Sequence, residues 1–400
     1  MFRRLPAVLT LAAALCAAVP AANASAAPSP TGLAHKHKHV CVAKSSAYSA
    51  CTSEVVTDGG GVRPAATATY ANGYQPGDLQ AAYGLTAASA ANGAGHTIAI
   101  VDAYDLPSAA QDLNTYRAQF KLPAVNSGTG PTFTKVNQTG GSTPPTVDTG
   151  WGQEIALDLD MASAICPNCN ILLVEASTSS MANLAAAVNT AAGTPGVVAI
   201  SNSYGGGDYY PNSAYNHPGI AITASSGDNG YGASYPASDP HVVAVGGTSL
   251  ARATTSARGW TETAWSGAGS GCSSYNTKPS WQGSVNTACT RRGETDVSAI
   301  ADPSTGVAVY DSTADSTGAQ GWMVFGGTSV ASPIVGSVYA LADNWAANSY
   351  PASLPYAHTS SLNDVTSGSN GRCKTTVWCT ARPGWDGPTG LGTPNGLGAF

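Results

Sequence analysis

The chain has 400 residues, of which only 10% are Asp, Glu, Lys or Arg, with a formal net charge of −6 and a pI near 5.5. No basic stripe is present to bind nucleic acid, and beyond the N-terminal leader no apolar run is long enough to span a bilayer. A surface of Ser, Thr, Asn, Gly and Tyr changes charge little as pH falls, which suits acid tolerance.

Met1-Phe-Arg-Arg is a short basic region, followed from Leu5 to about Pro20 by an alanine- and leucine-rich stretch. Ala22-Asn-Ala24 and Ala24-Ser-Ala26 are small-x-small cleavage sites. Residues 1–26 therefore read as a signal peptide, and the expected product is secreted, extracellular and soluble. Cys16 leaves with that signal, and eight cysteines remain, at 41, 51, 166, 169, 272, 289, 373 and 379. An even number in an exported chain predicts disulfides, most simply between neighbours: 41–51, 166–169, 272–289 and 373–379. Cys166-Pro-Asn-Cys169 reads as a structural loop, not a redox motif.

Residues 27–75 are polar and weakly periodic, and read as a short pro-segment or linker. His35-Lys-His-Lys-His39 within them reads as a solvated tail. From residue 76 to 400 the pattern is that of one large domain without internal repeats. Strands are expected at Thr97–Asp102, Asn170–Glu175, Val197–Asn202, Ile220–Ser225 and Val242–Gly246. Helices are expected at 106–120, 152–165, 180–193 and 332–345. Continuous apolar strands alternating with helices predict an α/β fold with a mostly parallel central sheet and helices on both faces.

Residues 326–333 read Gly-Gly-Thr-Ser-Val-Ala-Ser-Pro, which places a candidate nucleophile, Ser329, at the start of a helix. Pro333 is compatible with a first turn, whose N–H groups have no partner within the helix. A serine hydroxyl needs a base, yet the chain contains no His-Gly-Thr-His. His96, His217, His241 and His358 all sit in loop or strand-edge settings without a recognisable role. In Trp151-Gly-Gln-Glu-Ile-Ala-Leu-Asp, by contrast, Glu154 and Asp158 fall one turn apart on one helix face. The apolar residues around them predict burial, and two carboxyls buried together share protons and titrate as a pair. Asp160 has the wrong phase for that face. A third acid, Asp228, stands in Ser-Gly-Asp-Asn-Gly, where an apolar strand enters a turn; locally it is also an ordinary turn aspartate.

The Glu154-x-x-x-Asp158 helix, Ser-Gly-Asp228-Asn-Gly with Tyr235-Pro-Ala-Ser behind it, Val245-Gly-Gly-Thr, and Gly327-Thr-Ser329 followed by Pro333 occur in that order. Together they resemble the sedolisin (serine-carboxyl) peptidases, whose fold is similar to that of subtilisins, over roughly residues 75–400. The resemblance implies a secreted, acid-active endopeptidase acting on proteins or peptides. Its roles are Ser329 as nucleophile, Glu154 as general base and acid, Asp158 as its support and Asp228 as an oxyanion-hole donor. It also implies one structural Ca²⁺, held by Asp364 and Asp386 and by the carbonyls of Val365, Arg382 and Gly384. Ser203, Tyr204 and Gly205 resemble the segment that pairs with extended substrate backbone. Asp102 ends a strand where subtilisins keep a triad aspartate, and without a histidine partner it receives no catalytic role. The family carries a large folded pro-domain, whereas about fifty residues lie between the signal and the domain here; autoprocessing is expected between about residues 60 and 75. A monomer with no nucleic-acid or membrane partner is expected. The alternatives are a conventional neutral subtilisin-like protease and a catalytically inactive binding protein on the same scaffold.

Overall fold

The computed structural model describes Met1, residues 36–68 and residues 73–400. Beyond Met1, the expected signal peptide lies outside the described residues.

An eight-stranded sheet forms the centre. Its order is Trp260–Ala264, Val243–Arg252, Ala221–Ser225, Val197–Asn202, Thr97–Ala103, Asn170–Ala176 and Phe133–Asn137, with Val297–Ile300 pairing beside Val243–Arg252. All pairings are parallel except that of the edge strand Trp260–Ala264. The five strands expected from the sequence are all present within a few residues. Alternation assigns their side chains to two layers. Ile98 and Ile100 face a core shared with the helices Thr149–Ile165 and Thr328–Ala342. Ala99 and Val101 face a second core covered by the helix Met181–Ala192. Helices thus lie on both faces.

Two features differ from expectation. The nucleophile helix begins at Thr328 rather than 332, because Gly327, at φ +97°, turns the chain directly out of the strand Gly321–Gly326. Pro333 consequently stands inside the helix and lacks the N–H that normally bonds the carbonyl four residues back. That carbonyl belongs to Ser329, and the Ser203 hydroxyl reaches it instead at 3.5 Å.

The second difference concerns residues 36–68, which pack onto the body. His37–His39 and Glu54–Val56 form an antiparallel sheet with Gly321–Gly326 and Val307–Asp311. Ala50–Cys51 pairs with Tyr204–Gly207, which in turn pairs with Ser234–Tyr235. Val55 is fully buried, and buried Glu54 meets the rings of His37 (2.5 Å) and His39 (3.4 Å). His37 and His39 are therefore not a solvated tail. The four disulfides join the neighbouring cysteines as the sequence suggests.

Candidate active site

The helix Thr149–Ile165 starts at Asp148, whose side chain accepts the Gly150 and Trp151 N–H groups, an N-cap that satisfies two orphan donors. From Trp151 to Ile165 every residue is buried, as expected of a helix apolar on nearly all sides. Glu154 and Asp158 share one face, and Asp102, at the end of Thr97–Ala103, completes a group of three. One carboxyl oxygen from each lies within 4.8 Å of one from each of the other two. Asp160 points elsewhere and accepts the Tyr310 N–H at 3.0 Å, in keeping with its wrong phase.

Among the described residues, no Lys, Arg or His forms an ion pair with the three acids. Both oxygens of Asp102 and of Asp158, and Oε1 of Glu154, lack hydrogen-bond partners among the described residues. Burial pushes the pKa of Asp102 up to about 8. It raises Glu154 and Asp158 well above their ordinary values too, with the charge of Asp102 adding to both. The hydroxyls of Ser329 and Ser53 oppose the rise at Glu154, and that of Ser203 opposes it at Asp158. The physical result is a proton-sharing cluster, because three anions this close without a cation cannot coexist in a desolvated site.

Ser329 opens the helix above this cluster. Its hydroxyl donates to the Ser203 carbonyl at 3.2 Å and lies 3.0 Å from the Thr52 hydroxyl. Asp228 stands on the other side. Its Oδ1 accepts both the N–H and the hydroxyl of Thr328, each at 2.8 Å, and the Thr328 hydroxyl accepts the Gly227 N–H at 3.0 Å. Asp228 Oδ2 has no hydrogen-bond partner among the described residues, and burial raises this carboxyl well above its usual pKa. With Oδ1 occupied by Thr328, Oδ2 is the oxygen left to hold a proton when this carboxyl is neutral. A Cβ on Gly327 would sit 2.6 Å from that oxygen and 2.3 Å from the Thr52 carbonyl oxygen. Asp228 Oδ2 and the Thr52 carbonyl thus converge on the face that Gly327 leaves open.

Of the expected substrate-binding residues, Ser203 faces the site through its carbonyl and hydroxyl. Tyr204 turns its side chain inward, its hydroxyl donating to Asn202 at 2.7 Å, so only its backbone is available to an extended partner. Gly205 pairs with Ala50 and Tyr204 with Cys51. A groove of about 470 Å³ runs alongside, lined in part by Val42, Gly206, Gly227, Asp228 and Tyr231. Two groups stand at the site to which the sequence assigned no place in it. Asp102 joins the carboxyl cluster, and its signal was its position at a strand's C-terminal end. The segment around Thr52 occupies the approach to Ser329, and nothing in its composition announced this.

Of the residues expected at the calcium site, Asp386 contacts Arg382 and Asp364 contacts Gly384, both through backbone N–H groups. Asp386 is buried, and burial with the charge of Asp364 brings its carboxyl up to about 7. Its Oδ2 accepts the Arg382 N–H at 3.0 Å, and its Oδ1 accepts the N–H and hydroxyl of Thr389. Exposed Asp364 accepts the Gly384 N–H at 2.9 Å. No cationic side chain among the described residues pairs with either aspartate. Two carboxyls without a cationic partner, each held by backbone N–H groups of the same turn, supply the kind of hard oxygen that Ca²⁺ takes.

A parallel α/β sheet carrying a helix-borne serine beside a cluster of buried carboxyls defines a class of protein in which carboxyl groups stand where a histidine base is usual. No family model matches the chain. It is 30% identical over 367 residues to kumamolisin of Bacillus sp. (strain MN-32), covering 81% of this chain and 62% of that protein. It is likewise 30% identical over 373 residues to sedolisin of Pseudomonas sp. (strain 101), covering 81% of this chain and 60% of that protein. The chain thus spans about 60% of the length of the curated relatives it matches. The solved structure of Pseudomonas sedolisin, a serine-carboxyl proteinase complexed with two molecules of pseudo-iodotyrostatin, is similar with a TM-score of 0.64 at 26% identity, covering 81% of this chain and 95% of that one. Fervidolysin from Fervidobacterium pennivorans, a keratinolytic enzyme related to subtilisin, shares the fold at a TM-score of 0.50 and 17% identity, over 80% of this chain and 45% of that one. In sequence and in fold the chain is similar to the sedolisin (serine-carboxyl) peptidases, and its fold is subtilisin-like.

Proposed function

We propose that the protein is a secreted, acid-active serine-carboxyl endopeptidase that hydrolyses peptide bonds of proteins or peptides through an acyl-enzyme on Ser329. The observation that carries this reading is the group of Asp102, Glu154 and Asp158, buried beside Ser329 with no cation to neutralise it. Glu154 takes the Ser329 proton as the hydroxyl attacks the scissile carbonyl, then passes it to the leaving amine. Asp158 and Asp102 share that proton and keep Glu154 oriented. The Ser329 N–H and the protonated Asp228 Oδ2 bind the oxyanion. The carbonyl of Ser203 and the backbone of Gly205 align an extended substrate strand.

Three acids that share protons release them in steps, the first at a lower pH than the rest. The reading requires that the first of them be released in acid, while Asp228 is still protonated. Activity is expected to peak at roughly pH 3–5 and to be largely lost at neutrality. Hydrolysis of an unfolded protein from pH 3 to 8 by wild type and by Ser329→Ala tests the reading. A neutral or alkaline optimum that survives Glu154→Gln favours a conventional subtilisin-like protease instead, and no turnover at any pH favours an inactive binding protein.

Asp364, Asp386 and the carbonyls of Val365, Arg382 and Gly384 would hold Ca²⁺, which supplies a positive charge that fixes this corner in one conformation. Export is tested by recovering the protein, trimmed after residue 24 or 26, from the culture medium, and a monomer by its mass in solution.

A further inference from the structure

The chain's own residues 50–56 already run through the site as an extended strand. On one side of Ser329, Ala50 and Cys51 pair with Gly205 and Tyr204, and the Thr52 N–H donates to the Ser203 carbonyl at 3.1 Å. On the other side, Glu54 and Val55 pair with Gly326 and Phe325 of the strand that leads into the nucleophile helix. Between them, the Thr52 carbonyl accepts the Ser329 N–H at 2.8 Å, beside the Gly327 face toward which Asp228 Oδ2 points. The Ser53 hydroxyl donates to Glu154 Oε2. Strand addition on both sides of one peptide bond is how an extended substrate is held, and the bond so held is Thr52–Ser53.

We propose that Thr52–Ser53 is a self-cleavage site, presented to Ser329 by a disulfide-closed loop that keeps the groove shut until residues up to Thr52 are cut away and released. The inference rests on the peptidase reading above, and it places the cut upstream of the 60–75 interval expected from the sequence. In the reaction, Ser329 Oγ adds to the Thr52 carbonyl carbon and its proton moves to Glu154. The Thr52–Ser53 C–N bond breaks, Glu154 passes the proton to the Ser53 nitrogen, and a Thr52 ester remains on Ser329. Water then attacks the ester and gives one proton to Glu154, which returns it to Ser329 Oγ. The products are a Thr52 carboxyl group, which keeps the second proton of the water, and a new Ser53 amine.

The same contacts make clearance slow. After the cut, Glu54–Val56 stays paired with Gly321–Gly326, so the Ser53 amine remains close enough to re-form the bond before water arrives. The upstream piece stays paired with both Tyr204–Gly207 and Glu54–Val56. The Cys41–Cys51 disulfide closes the loop next to Thr52, with Cα atoms 5.4 Å apart. A bound piece already held in one shape gains little freedom by leaving. For a loop of this length, that constraint is worth up to about a hundredfold in retention.

The test incubates purified full-length wild type, Ser329→Ala and the Cys41→Ser/Cys51→Ser double variant in acid. Intact mass and N-terminal sequencing are followed alongside turnover of an unrelated reporter peptide. The expected result is a new N-terminus at Ser53 in wild type and none in Ser329→Ala. Reporter turnover should show a lag that ends as the upstream piece dissociates, shortened by up to about a hundredfold in the double variant. If the double variant does not fold, mild thiol reduction of folded wild type gives the same comparison. Reporter turnover with Thr52–Ser53 intact, a first cut elsewhere, or a lag indifferent to the disulfide each overturns the proposal while the peptidase reading stands. Failure to cut either the reporter or the chain overturns both.

Discussion

Replacing Asp228 separates its charge from its capacity to donate. Its Oδ1 accepts two hydrogen bonds from Thr328, so Asp228→Asn keeps that acceptor and puts an amide NH₂ where the protonated Oδ2 now lies. The amide donates at every pH, whereas the acid donates only while protonated. Asp228→Ala removes the donor and should lower kcat by about 10²–10³-fold, or ~2.7–4 kcal/mol of transition-state stabilisation. Asp228→Asn should stay within about tenfold of wild type in acid, since a tenfold change corresponds to only ~1.4 kcal/mol. Burial raises the Asp228 pKa, so the wild-type descending limb lies above the ordinary carboxyl value of about 4. Two pH units beyond that limb, wild type has lost about a hundredfold and the asparagine variant has not, so their order reverses. The assay is kcat/KM for a reporter peptide from pH 3 to 8, with active sites titrated. An asparagine variant as inactive as the alanine variant at every pH, or one with the wild-type descending limb, refutes the donor assignment.

The acid cluster also predicts how stability depends on pH. The folded-state pKa of Asp102, about 8, and the raised values of Glu154 and Asp158 exceed those of the unfolded chain, so folding retains protons. That contribution is complete below about pH 4 and is lost as pH rises toward 8; Tm should fall over this interval, less steeply in Asp102→Asn, and a rising Tm refutes the cluster. Gly327→Ala forces a side chain to φ +97° and against Thr52 and Asp228. The backbone strain alone costs about 1–3 kcal/mol, and an unchanged denaturation midpoint would contradict it. Chelation of Ca²⁺ should lower Tm by several degrees in wild type and not in Asp386→Ala, since ligand at a hundred times Kd adds about 2.7 kcal/mol; equal curves with and without chelator remove the metal from the site.

The sequence foretold the elements whose periodicity is strong and local. The apolar strands ending at Asp102, Glu175, Asn202 and Ser225 and the helix carrying Glu154 and Asp158 were legible because burial writes a repeating pattern along the chain. Disulfide pairing followed from proximity in sequence. The helices Pro76–Ala82 and Thr86–Ala91 were missed, being too short to show a helical period. Asp102 was noticed and left without a role, since its partners lie on a helix more than fifty residues away and only the packing brings them together. The strands at 37–39, 50–51 and 54–56 have two or three residues each. Their pairing is a matter of backbone meeting backbone across the whole fold, which side-chain pattern does not record.

The small ring of bonds from the Gly227 N–H to the Thr328 hydroxyl and on to Asp228 has a consequence for the energetics of the reaction. The Thr328 hydroxyl accepts on one side and donates on the other, so it has a single orientation and cannot follow the substrate. The proposed oxyanion donor, Asp228, is thereby riveted to the same helix turn that carries Ser329, the proposed nucleophile. When charge develops on the carbonyl oxygen, no dipole has to swing into place, and the reorganisation that water would require has been completed during folding.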